Sequence, residues 1–165
     1  MDWLPEEGPA GGTQDTEVAM TTESGQTNTR AGTARLRVLR PAERDAGTTQ
    51  TPGMQRKAGV SPETTGAEQL WMGHVRVAPG VESGVHHHGA SESGIYIISG
   101  HARFRSGPDL SEHFDAGPGD FIFVPPWALH QEINLSQTEP VVAIVCRTAS
   151  DDELVYNEVS AAEPG

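Results

Sequence analysis

Between residues 68 and 148 the chain is a succession of short apolar runs, each closed by turn-forming residues, and this punctuation is what most limits the possible fold. Strand-like segments are expected at 68–77, 84–88, 94–99, 101–106, 110–115, 120–124, 129–134 and 140–148. Between them lie Ala78-Pro79-Gly80, Ser106-Gly107-Pro108-Asp109 and Ala116-Gly117-Pro118-Gly119, whose composition favours tight turns over continued regular structure. No stretch repeats its apolar residues at the 3.6 spacing of a helix. Many short strands at even spacing predict an all-β antiparallel sandwich or barrel. Phe121 and Phe123 alternate with Ile122 and Val124, so one strand is apolar on both faces. In 101–106, Ala102 and Phe104 alternate with Arg103 and Arg105, and the arginines are expected to meet solvent.

The flanks read differently. Residues 1–33 are rich in Gly, Thr, Glu, Ser and Gln and carry few apolar groups, so a disordered acidic tail is expected there. Residues 34–67 read as an extended arm and linker. Leu36 and Val38 alternate with Arg35 and Arg37 as on a strand with one buried face, and Met54 to Val60 can form a short strand. The barrel domain is then expected over 68–160, with a last edge strand around Leu154-Val155-Tyr156.

Charge and cysteine usage narrow the partners. With 23 acidic and 11 basic residues, the chain is a poor candidate for nucleic acid or an anionic membrane, because a phosphate-binding surface must be positive. The lone Cys146 cannot form an internal disulfide, which fits a reducing cytoplasm, and its apolar surroundings suggest a small core residue. No run approaches the ~20 apolar residues of a membrane span. The first residues lack the basic and apolar regions of a secretion signal, so a cytoplasmic location is expected.

Chemistry concentrates in the segment Gly80 to Glu92. In an extended chain His86 and His88 share a face while His87 points away. Glu92 follows across the flexible Gly89-Ala90-Ser91, which can turn its carboxylate toward the same point. The resulting N,N,O set suits a divalent transition metal. His130, in the later stretch Gly119 to Asn134, is the candidate fourth ligand.

These two stretches resemble the paired motifs of the cupin superfamily. The first fits G-x5-H-x-H-x3-E through Gly80, His86, His88 and Glu92, with Gly100 arriving one residue later than in the usual pattern. The second fits G-x5-P-x-G-x2-H-x3-N through Gly119, Pro125, His130 and Asn134, with Trp127 in place of the glycine. The resemblance covers roughly residues 65 to 148. It implies a single antiparallel jelly-roll (cupin) barrel with one divalent transition metal, Fe(II), Zn(II), Mn(II) or Ni(II), held by His86, His88, Glu92 and His130. It also implies pairing into a homodimer through the early strand of the 34–67 arm. By strand parity Glu132 shares the face of His130, which makes it a candidate general base, while Asn134 is expected to fix strand geometry. Two functions follow as expectations. One is a metalloenzyme acting on a small organic molecule by oxygenase or Lewis-acid chemistry. The other is a metal-stabilised binding protein, or an accessory to a separate enzyme, without turnover of its own.

Overall fold

The computed structural model describes residues 35–48 and 50–148. The chain divides into two units, 1–36 and 37–165, and every regular element among the described residues lies in the second. The expected tail over 1–33 and the expected strand near Leu154 fall outside the described residues. Residues 35–40 form no strand; Leu36 and Val38 are exposed.

Among the described residues eight strands form two antiparallel sheets. They are β1 (Met54–Val60), β2 (Trp71–Val77), β3 (Ser93–Ser99), β4 (Ala102–Ser106), β5 (Glu112–Ala116), β6 (Phe121–Val124), β7 (His130–Asn134) and β8 (Val141–Arg147). The larger sheet has the order β1-β2-β8-β3-β6 and the smaller one β5-β4-β7. The barrel and its all-β character are as the punctuation predicts. The segment expected as a strand at 84–88 instead makes one isolated bridge to β7, His86 to His130, and Glu82 just before it makes another, to Ile133. A one-turn helix, α1 (Pro62–Thr65), breaks the expected linker. Ser61 caps it by accepting from the Thr64 N–H at 3.2 Å, and Gly66 ends it in the left-handed conformation.

Period-two patterning places the core. In β8, Val141, Ala143 and Val145 are buried, and they meet Ile95 and Ile97 of β3, Val75 and Val77 of β2 and Phe104 of β4 in one cluster. Cys146 lies on the opposite side of β8 and is only half-buried, so it is not one of these core residues. In β6 only Ile122 and Val124 face inward, leaving Phe121 and Phe123 exposed. In β4 Ala102 and Phe104 are buried, while Arg103 makes a two-pronged pair with Asp115 of β5 at 2.7 and 2.9 Å. Solvent screens that exposed pair, so it contributes little to stability.

Asn134 ties β7 to its surroundings. Its side chain is 1% exposed and donates to the carbonyls of Val77, Ala78 and Glu139 at 3.3, 3.1 and 2.8 Å, while accepting from the Ser136 N–H at 3.0 Å. Removing the amide leaves three carbonyls without their donor, that of Val77 in a buried setting. Asn134→Ala is therefore expected to lower stability by roughly 2–4 kcal/mol, read as a lower urea midpoint at unchanged slope.

Candidate metal centre

The site forms where the loop before β3 crosses the start of β7. His86 and His130 exchange both backbone hydrogen bonds, His86 N–H to His130 O at 3.0 Å and His130 N–H to His86 O at 2.9 Å. This reciprocal pair fixes the two imidazoles side by side. Two residues on, His88 shares their face, as parity predicts. One ring nitrogen from each of the three lies within 4.8 Å of the others, and the residues are 2%, 5% and 3% exposed for His86, His88 and His130.

Each ring is held by its Nδ1. His86 Nδ1 lies 2.9 Å from the Gly84 carbonyl, and His130 Nδ1 lies 2.9 Å from the Ala128 carbonyl. A carbonyl only accepts, so both rings carry their proton on Nδ1 and present Nε2 as a lone pair. For His88 the guanidinium of Arg147 donates to Nε2 at 3.0 Å, so Nδ1–H donates to Ser93 Oγ at 2.8 Å. All three imidazoles thus share one tautomer. Burial, the largest cause, lowers the pKa of His86 to about 4 against the opposing charge of Glu132, and that of His88 to about 2 with help from Arg147. Both rings are neutral near pH 7, the form that ligates metal.

The His130 Nε2 atom is buried and meets no hydrogen-bonding partner among the described residues. A buried lone pair with no partner costs stability unless something binds it. One ring nitrogen from each of three buried imidazoles within 4.8 Å of the others fits a transition-metal ion, for which imidazole is a common ligand.

Glu92 is not brought to this point. It is exposed, and only its backbone is engaged, its N–H donating to Thr148 Oγ1 at 3.1 Å. Ser93, 1% exposed, takes the inward place instead. The reason is parity: β3 begins at Ser93, and Gly89 to Glu92 form a four-residue loop, so the late arrival of Gly100 shifts the inward position by one. Among the described residues the cluster that could hold a metal is therefore three histidines, without the carboxylate that was expected, and the Ser93 hydroxyl binds the far side of His88 at Nδ1.

Glu132 pairs across with Phe104, a core residue, and so faces the barrel side of β7. It is half-buried, and its charge raises the pKa of His86, which puts it within electrostatic reach of the cluster. Ser83 holds its backbone, donating N–H to Glu132 O at 2.8 Å and accepting from Glu132 N–H at 2.9 Å. Trp127 adopts φ +62°, the left-handed region, in the place where the motif has glycine. Its N–H donates to Gly89 O at 2.8 Å and its ring lies 5.2 Å from that of His87, so it joins the two motif loops. Arg147 was not singled out by sequence reasoning. Its signal was present: it continues the inward set Val141, Ala143, Val145 by two.

The family model for the cupin domain matches residues 73–146. The match identifies residues 73–146 as a cupin domain. Solved structures share its fold. One is an uncharacterized conserved protein with a double-stranded beta-helix domain from Klebsiella pneumoniae, 18% identical, covering 64% of this chain and 85% of that one, with a TM-score of 0.52. A sugar phosphate isomerase from a cupin superfamily of Silicibacter pomeroyi is 20% identical, covering 59% of this chain and 60% of that one, at TM-score 0.50. Bacillus subtilis oxalate decarboxylase is 24% identical over 63% of this chain but only 28% of its own length, at TM-score 0.55. This chain therefore spans less than two thirds of the latter two chains. No curated protein sequence matches it. Among the described residues no helix is long and apolar enough to cross a membrane.

Proposed function

We propose that this cupin is a mononuclear divalent-metal protein in which His86, His88 and His130 hold the ion and a small organic molecule is transformed beside it, with Glu132 moving a proton. One observation supports the reading above the rest: three buried imidazoles share the tautomer that presents Nε2, two of them locked by backbone carbonyls. Such anchoring sets ring orientation and raises ligand basicity. A bound ion supplies Lewis-acid polarisation of a substrate oxygen.

Three neutral ligands leave the ion's charge undiminished, which favours Lewis-acid chemistry. The set also lacks the carboxylate of the two-histidine, one-carboxylate triad associated with Fe(II) oxygenases. Fe(II), Mn(II), Ni(II) and Zn(II) all accept imidazole. Glu132 sits at the border of the buried cluster, half-open to solvent, where a carboxylate can take a proton from substrate and return it.

The test is reconstitution with each of the four metals, assayed with small carbonyl and hydroxy-acid substrates in the presence and absence of oxygen. Turnover independent of oxygen, falling roughly 100-fold or more in Glu132→Gln with metal retained, supports the reading. Oxygen uptake confined to the Fe(II) form would replace it with oxygenase chemistry. Ligand binding without turnover in every metal form would replace it with the binding-protein role.

A further inference from the structure

The outer side of the larger sheet is apolar, where a sheet side that meets solvent is ordinarily polar. Strand register lays its residues in rows across β6, β3, β8 and β2. Phe121, Tyr96 and Ile144 form one row, with the Phe121 and Tyr96 rings 4.7 Å apart. Phe123, Gly94, Cys146 and Met72 form the next. Ile98 and Val142 extend the patch along β3 and β8. Among the described residues no charged side chain stands on this side of β3, β6 or β8, and the exposed Arg76 and Lys57 are confined to β2 and β1.

The open area matches one standard interface. Met72, Tyr96, Ile98, Phe121 and Phe123 are 39, 37, 45, 82 and 64% exposed, which leaves roughly 500 Å² of their apolar surface uncovered. A stable pair covers roughly 800 Å² per partner, about two thirds of it apolar when the subunits are alike. The face thus supplies the apolar centre of such an interface and keeps its charge to the rim. Its relief is also self-complementary. Gly94 leaves open space where a side chain would stand, with nothing within 4 Å of a Cβ placed there, directly beside Phe123 in register. A projecting ring and a hollow on one face suit a two-fold interface, in which residue i of each copy meets residue j of the other.

We infer that a second copy of this chain packs on the β6-β3-β8 face, sheet against sheet, with Phe123 of each copy entering the hollow at Gly94 of the other. Stacked sheets sit about 10 Å apart, a gap that aromatic rings fill. This surface is distinct from the 34–67 arm, through which the sequence resemblance implies pairing, and the inference is independent of the metal reading.

Sedimentation velocity on the full chain tests it. Wild type is expected to be a dimer at about 50 μM, and the double substitution Phe121→Glu with Phe123→Glu to weaken association about 100-fold or more. Buried aromatic anchors carry most of an interface's energy, and the added carboxylates of the two copies repel each other. Leu36→Asp, on the exposed arm, is expected to leave the dimer intact. Far-UV circular dichroism checks that each variant is folded. Should the double variant not fold, Ile98→Lys, at a separate exposed position of the face, carries the test with the same expected direction. A dimer that survives the face substitutions overturns the inference, as does one that Leu36→Asp alone dissociates. Wild type that stays monomeric at this concentration overturns it too, whether residues 149–165 or a different protein then covers the face.

Discussion

Alanine at position 130 is expected to reduce metal affinity at least about 100-fold, more than the loss of an outer-shell partner costs, because it removes one of three ligands outright. The readout is the thermal shift on adding Co(II) or Zn(II). Binding to the folded state alone stabilises by about 2.7 kcal/mol at a hundredfold excess over Kd, so wild type gains several degrees, while His130→Ala at the same concentration gains about 0.4 kcal/mol or less, a degree or so. The metal-free variant loses the bond from Nδ1 to the Ala128 carbonyl but also loses the buried Nε2 that meets no partner. Its own stability therefore falls less than its metal response does. Glu92→Ala is the internal control: an exposed side chain outside the cluster is expected to leave the shift unchanged. The pH dependence has a definite sign. Burial lowers the pKa of His86 to about 4 and that of His88 to about 2, below the ordinary value of 6.5. These rings stay deprotonated at pH 6, so proton competition for them sets in below the range where exposed imidazoles become protonated. The folded-state shift is downward, so the associated stability is present above pH 6.5 and is lost as pH falls toward those lower values.

The second large effect concerns the fold. Gly100 turns the chain from β3 in the larger sheet to β4 in the smaller, at φ +80°. A Cβ placed there would lie 2.4 Å from the Pro140 carbonyl oxygen and 2.9 Å from the Val141 Cα, both backbone atoms that cannot swing aside. Conformational strain and overlap each cost of order 1–3 kcal/mol, so Gly100→Ala is expected to destabilise by roughly 3–5 kcal/mol. At about 2–4 °C per kcal/mol this lowers Tm by roughly 6–20 °C. Gly94→Ala in β3 is the contrast, since nothing lies within 4 Å of its would-be Cβ and its φ is not in the left-handed region. Its effect is expected to be small and of either sign.

The contrast between legible and illegible features follows from parity. Alternation along 141–145 and 121–124 reads directly into burial because a strand has only two faces, and the same rule placed His86 and His88 together. His130 was legible from its motif, and the backbone pair with His86 shows how it arrives. Glu92 was not legible, because parity does not carry through a loop. One extra residue among Gly89 to Glu92 hands the inward place to Ser93, and the late Gly100 was the only mark of it. Segment 84–88 looked like a strand but only bridges β7 at single points, its remaining hydrogen-bonding going to turns and side chains. Arg147 stood at an inward position by the alternation of β8, yet a charged residue at the end of an apolar run reads as the point where a strand meets solvent. Only the contact with His88 reveals its place in the site.

Elemental analysis of protein purified without chelator or histidine tag tests the central claim most directly. A bound transition metal near one equivalent per chain, lost in His130→Ala and retained in Glu92→Ala, is the expected result. Wild-type protein that holds no metal, and takes up none from a solution of Fe(II), Mn(II), Ni(II) or Zn(II), would contradict it.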